Sequence, residues 1–258
     1  MMLASAFGYV LFKALTTEQL YTWGWRIPFF VGLLIGPVGL YIRSKLSEPE
    51  EFVTAKKESS PIRSALTEHL GRILTGIACV GLGTISVYLI LYMPTYAVKS
   101  LQVPAAAAYL GGIVAGAVGL VGVPFVGRLA DRVGPAKIMT FAAAAAIVVI
   151  VPLMQLVIGR PTVTSFVVVI ALLGGIMAFY FGCLPAMLSD LFPQQIRGTG
   201  ISIAYNVGVS SLGGIAPLVI TWLIQQTGSK TAPGFYYMAV ATLSLVGLYF
   251  ARKVYRAR

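Results

Sequence analysis

The sequence predicts an all-α integral membrane protein, a helical bundle of about eight transmembrane helices. Three observations predict it. Of the 258 residues, 58% are hydrophobic and only 10% are charged, whereas a water-soluble domain carries roughly 25% charged residues to solvate its surface. The mean hydropathy is +0.87. Long apolar spans recur along the chain, and the basic residues fall between them in an alternating pattern. The 28 glycines agree, because Gly is more frequent in transmembrane helices than in soluble ones.

The spans run over residues 1–15, 27–46, 72–98, 105–127, 138–158, 163–189, 198–225 and 234–252. A crossing takes about 20 apolar residues. The first span is short for that, and the others are long enough, some with tilt. The opening MMLASAFGYVLFKALTTEQL lacks the basic region of a signal peptide, so cleavage is not expected and it reads as a helix that has lost its beginning. Between the second and third spans lies the one long polar segment, 47–71, beginning SEPEEFVTAKKESSPIRS. Its Ser, Pro and charge content predicts a loop or surface helix.

A net charge of +11 raises the possibility of a nucleic-acid partner. The cations instead sit between spans, with no nucleic-acid motif, and positive-inside topology accounts for them. Fourteen of the 19 basic residues fall on one side: Arg43, Lys45, Lys56, Lys57, Arg63, Arg72, Arg128, Arg132, Lys137, Arg197, Arg252, Lys253, Arg256 and Arg258. Lys13, Arg26, Lys99, Arg160 and Lys230 fall on the other. This predicts a multi-pass protein of the cell (inner) membrane with both termini cytoplasmic, surrounded by lipid and monomeric. The acids are Glu18, Glu48, Glu50, Glu51, Glu58, Glu68, Asp131 and Asp190, and none lies in the middle of a span. Intramembrane carboxylates are the usual proton relays of transporters, so the chain has no obvious proton carrier of its own. Cys79 and Cys183 lie in apolar spans and His69 stands alone before one. With no metal-ligand cluster or paired carboxylates, neither a cofactor nor an enzyme is expected.

Between the fourth and fifth spans runs Gly127-Arg-Leu-Ala-Asp131-Arg132-Val-Gly134-Pro-Ala-Lys137. It reads as a tight cytoplasmic turn, in which Gly127 and Gly134 permit close helix approach or unusual backbone angles. Asp131 is suited to a helix N-terminus or an Arg partner. A short cytoplasmic loop would carry basic residues and glycine in any case. The pattern G-x-L-A-D-R-x-G nevertheless resembles the cytoplasmic signature loop of the Major Facilitator Superfamily, in its second copy, with Pro135 and Ala136 intervening before the basic end. Trp23-Gly-Trp-Arg26-Ile-Pro28-Phe-Phe30, Leu46-Ser-Glu48-Pro49-Glu-Glu-Phe52, Leu188-Ser-Asp190-Leu-Phe-Pro193-Gln-Gln-Ile-Arg197-Gly-Thr-Gly200, Tyr205-Asn206 and Gly213-Gly214-Ile-Ala-Pro217 resemble its metabolite:proton symporter family. Thr84-Ile-Ser-Val-Tyr88 and Thr227-Gly-Ser-Lys230-Thr-Ala-Pro233-Gly-Phe-Tyr236 are similar to the citrate and tricarboxylate branch.

The resemblance implies a twelve-helix fold of two six-helix domains, with the present spans equivalent to helices five to twelve. Residues 1–46 would be the last two helices of the N-terminal domain, 47–71 the cytoplasmic inter-domain loop and 72–258 the C-terminal domain. It implies transport of a small organic anion, citrate or another tri- or dicarboxylate, with protons. A proline- or betaine-type osmolyte, or a truncated remnant that does not transport, is the alternative. Polar residues at helical spacing supply substrate-binding candidates: Thr84, Tyr88, Tyr92 and Thr95 on one face, and Ser202, Asn206, Ser210, Gly213 and Pro217 on a second. Tyr205 lies beside the second and Tyr180 is a third candidate. Such hydroxyls and amides also join helices to one another, and Tyr favours the interface. Pro94, Pro124, Pro152, Pro185 and Pro217 are expected to bend their helices. The family arrangement brings Asp131, Arg132, Asp190 and Arg197 to the inner ends of neighbouring helices, where with Gly127 and Gly134 they would form a cytoplasmic gate.

Overall fold

The computed structural model describes residues 2–45 and 60–256. Residues 46–59, and with them most of the predicted polar segment, lie outside the described residues. The helices are α1 (Met2–Ala14), α2 (Thr17–Thr22), α3 (Ile27–Gly32), α4 (Ile35–Lys45), α5 (Pro61–Thr67), α6 (Leu70–Leu101), α7 (Ala105–Val133), α8 (Pro135–Gly159), α9 (Val163–Phe181), α10 (Leu184–Leu191), α11 (Arg197–Gly208), α12 (Ala216–Thr227) and α13 (Ala232–Lys253). Short 3₁₀ turns occupy Gly24–Arg26 and Gln194–Ile196, and Val209–Gly214 forms a π-helix. Among the described residues, seven helical stretches are long and apolar enough to cross a membrane, with Met2–Ala14 as a shorter eighth. At about 1.5 Å per residue, α1 falls short of the roughly 30 Å hydrocarbon core.

Two of the predicted continuous spans are interrupted. The span over 163–189 breaks at Gly182-Cys183 and resumes with Pro185 in the first turn of α10. The span over 198–225 widens into the π-helix and resumes with Pro217 in the first turn of α12. A proline has no N–H to give the preceding turn and its ring crowds the carbonyl four residues back, so the chain restarts there. Pro94, Pro124 and Pro152 instead lie within uninterrupted helices.

Helix α6 is the centre of the bundle: 78% of its most apolar stretch is buried, against the neighbours α7, α9, α11 and α13. Its backbone is tied by side chains from two of them. Ser244 of α13 accepts the Leu82 N–H at 2.8 Å and donates to the Ala78 carbonyl at 2.8 Å. Tyr180 of α9 donates to the Cys79 carbonyl at 2.6 Å. Ser86 donates to the Leu82 carbonyl at 2.7 Å, and so accepts the Tyr237 hydroxyl, 2.8 Å away. All four side chains are fully buried. The arrangement corrects one sequence expectation, since Tyr180 is a fully buried core residue whose hydroxyl is bonded to backbone.

Around this centre, small residues let helices meet closely. Helix α1 packs on α7, with Ser5 over Gly112, Met2 over Gly116 and the Phe12 ring 6.1 Å from Tyr109. The stretch Gly24–Lys45 is different, for none of its most apolar stretch is buried.

The Ser244 and Tyr180 bonds carry a testable cost. Ser244→Ala and Tyr180→Phe should each destabilise the protein by between about 0.6 kcal/mol, the average for hydrogen bonds between membrane helices, and about 2 kcal/mol for a buried group left unsatisfied. Cys79 and Cys183 are free and buried, so a thiol-reactive dye reports thermal unfolding in detergent. Unchanged midpoints in both variants would reject the interlock.

Candidate functional site

The two polar stripes read from the sequence meet at one point. Gly213, in the π-helix, is buried under Thr84 and Tyr88 of α6, and a Cβ there would stand 2.6 Å from Tyr88 Cδ2. The π-helix also changes the second stripe. Ser202, Asn206 and Ser210 are exposed while Gly213 is buried, so they do not share one face as an uninterrupted α-helix would have it. A π turn holds more residues than an α turn, and the phase shifts across it. The Leu212 carbonyl within the segment accepts the Tyr236 hydroxyl at 2.9 Å.

The accessible part of this surface is uncharged and sets polar groups among exposed apolar ones. Thr84 is buried, Tyr88 and Tyr92 are half-buried and Thr95 is exposed, so the α6 stripe climbs from core to surface. Tyr92 hydrogen-bonds Thr221 of α12 at 3.1 Å. Among the described residues, the Tyr88 hydroxyl has no hydrogen-bond partner. Asn206 donates to the Ser202 carbonyl at 2.8 Å and, with Val207, Ser210 and Ser211, lines a shallow groove of about 450 Å³. Tyr205 is exposed beside it. The structure therefore joins Tyr88 to Gly213 and Tyr92 to Thr221, places Asn206 and Ser210 in a groove of their own, and leaves Tyr180 in the core. Thr221 was missed because the second stripe was stopped at Pro217, one turn too early. An apolar cavity of about 820 Å³ between α1, α6, α7 and α9, lined by Met2, Val87, Leu120 and Phe181 among others, holds none of the predicted residues.

At the basic end of the bundle, the tight turn expected within Gly127–Lys137 is confined to a single residue. Helix α7 runs on through Val133 and α8 starts at Pro135, so Gly134 alone makes the reversal, at φ 97° and ψ 132°. That backbone is open only to glycine without strain, while Pro135 suits a first helical position. Arg132 lies in the last turn of α7, where a cation offsets the helix dipole, which explains why the helix extends. Gly127 packs near the Gly182 carbonyl, 3.9 Å from where its Cβ would stand.

Asp131, Arg132 and Gly134 line a cavity of about 1030 Å³ with Lys137 and the end of α13. Asp190 is exposed on α10, and Arg197 begins α11 half-buried, its Nε enclosed without a hydrogen-bond partner. Among the described residues, no ion pair joins these four charges. The tie present at this end is one the sequence reading counted only as topology. Arg72 donates to the Leu191 carbonyl that closes α10 and stacks on the Tyr255 ring at 4.6 Å. A signal existed: Arg72 and Arg197 both sit in the first turns of helices, where a cation opposes the dipole.

The Major Facilitator Superfamily pattern matches residues 1–217. A citrate-proton symporter of Klebsiella pneumoniae is 30% identical over 246 residues, covering 94% of this chain and 55% of that protein. A citrate-proton symporter of Salmonella typhi is 29% identical over 245 residues, 94% of this chain and 56% of its own. The ectoine/proline transporter ProP of Corynebacterium glutamicum is 29% identical over 242 residues, 88% of this chain and 48% of its own. The chain spans about half the length of the curated relatives it matches. No solved structure matches it.

The seat of Tyr88 on Gly213 gives a direct test. Gly213→Ala should overpack the α6 contact and cost about 1–3 kcal/mol, read as a lower unfolding midpoint. Gly127→Ala, which meets only ordinary van der Waals contact, should leave that midpoint within about 0.5 kcal/mol of the parent.

Proposed function

Because the chain belongs to the Major Facilitator Superfamily, we propose that it forms part of a secondary transporter that carries a small organic acid with protons by alternating access. Citrate or another tri- or dicarboxylate is the first substrate class, in keeping with the names of two of its relatives. The observation that carries the reading is a set of uncharged polar groups: Tyr88 seated on Gly213, Tyr92 bonded to Thr221, and Asn206 and Ser210 in a groove of their own. Hydroxyls and amides hydrogen-bond a substrate carboxylate without the desolvation cost of a buried charge. Residues 72–258 would be the C-terminal domain, 1–46 the last two helices of the N-terminal one and 47–71 the cytoplasmic connection, with both termini cytoplasmic in the cell (inner) membrane.

The same neutrality favours one second reading. A tricarboxylate calls for Arg or Lys near the binding site, yet no basic residue of this sequence lies mid-span and no carboxylate does either. A zwitterionic osmolyte such as proline or betaine fits such a surface without a compensating charge, and one relative is an ectoine/proline transporter. A citrate carrier would need a neutralising cation and a proton site that no mid-span residue of this sequence supplies.

Gating is assigned to the basic end. In this reading Asp131, Arg132, Asp190 and Arg197, with Gly134 making the α7–α8 reversal beside the first two, pair in one state and part in the other, a bistable element that substrate biases. The enclosed, unpartnered Nε of the half-buried Arg197 supports it, because a carboxylate would give that donor a charge-assisted partner. The competing account is that the charges only anchor helix ends, with weak surface pairing.

Uptake into proteoliposomes under an inward proton gradient separates these readings. Citrate accumulation that collapses with a protonophore supports the symporter, and proline or betaine accumulation supports the alternative. Correctly inserted protein that moves neither indicates a chain that does not transport by itself. In whichever form transports, Asp131→Asn should slow turnover several-fold with little change in the half-saturating concentration. Unchanged turnover would exclude the gate.

A further inference from the structure

The cavity at the basic end has a composition that helix ends alone do not require. It lies between the α7–α8 reversal and the end of α13, with a volume of about 1030 Å³. Five cations line it, Arg132, Lys137, Arg252, Lys253 and Arg256, against the single carboxylate of Asp131. Among the described residues, none of the five forms an ion pair or donates a hydrogen bond. Lys253 only lies over the Tyr249 ring, 5.8 Å from its centroid. Five like charges around one concavity repel each other, and an anion bound there would relieve them all at once.

We propose that this cavity seats the phosphodiester headgroup of an anionic phospholipid. Its place in the fold selects a lipid over a soluble anion. The cavity stands at the ends of three helices long and apolar enough to span a membrane, α7, α8 and α13. Leu245 lies about two turns before Arg252 and Lys253 on α13, so apolar surface follows the cations toward the membrane interior, as a headgroup and its acyl chain require. Exposed Tyr249 and Phe250, stacked edge to face with centroids 5.8 Å apart, are aromatic anchors of the kind that hold a helix at headgroup level. Basic pockets between membrane helices suit such headgroups. The orientation proposed above makes this the cytoplasmic leaflet, but the site rests on the cavity and not on the transport reading.

The test uses the purified full chain in a non-ionic detergent, with unfolding followed through Cys79 and Cys183. Phosphatidylglycerol should raise the unfolding midpoint saturably, while phosphatidylcholine and inorganic phosphate should not. Arg252→Gln and Lys253→Gln should each weaken the phosphatidylglycerol response about fivefold, and the pair more. Lys253→Arg, which keeps the charge, should retain it. Arg63→Gln removes an exposed cation outside the cavity and should leave the response intact. If the α13 variants unfold before they can be titrated, Lys137→Gln on α8 gives the same reading. An equal response to phosphatidylcholine, an equal response to inorganic phosphate, or equal weakening by Arg63→Gln would each overturn the proposal.

Discussion

The fold depends on satisfying side-chain hydroxyls where no water can reach them. A hydroxyl left unpaired in an apolar interior costs roughly 2–7 kcal/mol, and α6, buried along most of its apolar stretch, supplies the backbone partners. The hydroxyls of Ser244, Tyr180 and Ser86 engage the carbonyls of Ala78, Cys79 and Leu82, and Ser244 also receives the Leu82 N–H. These bonds fix how α9 and α13 sit against α6, both in height and in rotation. The polar surface higher on α6 inherits that position, because Tyr88 follows Ser86 by half a turn on a helix already held in place.

This enclosure also separates what the sequence could reveal from what it could not. Hydropathy alone located the spans, since an apolar run of membrane length has few other uses. Pro185 and Pro217 marked where two of them restart. The π-helix between Gly208 and Ile215 left no comparable mark: Val209–Gly214 reads as ordinary helix with two glycines, and only its packing against Tyr88 and Tyr236 shows why the extra residue is tolerated. Tyr180 shows the opposite difficulty. A tyrosine in an apolar helix looks the same in sequence whether its hydroxyl meets a substrate or a neighbour's carbonyl. Which one it meets is set by α6, more than 90 residues away in sequence.

The charges followed similar logic. Counting them by side gave a consistent alternation, because helix ends alternate between the two faces by construction. Their individual uses depended on tertiary placement. Arg72 reaches the Leu191 carbonyl and the Tyr255 ring, joining three separate parts of the chain. Asp131 and Arg132 face the end of α13, whereas Asp190 and Arg197 flank the Gln194–Ile196 turn. One basic end thus contains two distinct neighbourhoods, carried by two separate segments of the sequence.

The π-helix has a geometric consequence of its own. An α-helix advances about 100° per residue, so accommodating one extra residue offsets the helix before it from the helix after it by about that angle. Asn206 on one side, and Thr221 on the other, are therefore held in relative azimuth by six residues and not by the long axis of either helix. Were that segment to tighten into a regular α turn, one half would swivel against the other by roughly a quarter turn while both helices stayed intact. The carbonyl of Leu212 and the seat of Tyr88 would be the first contacts to feel it.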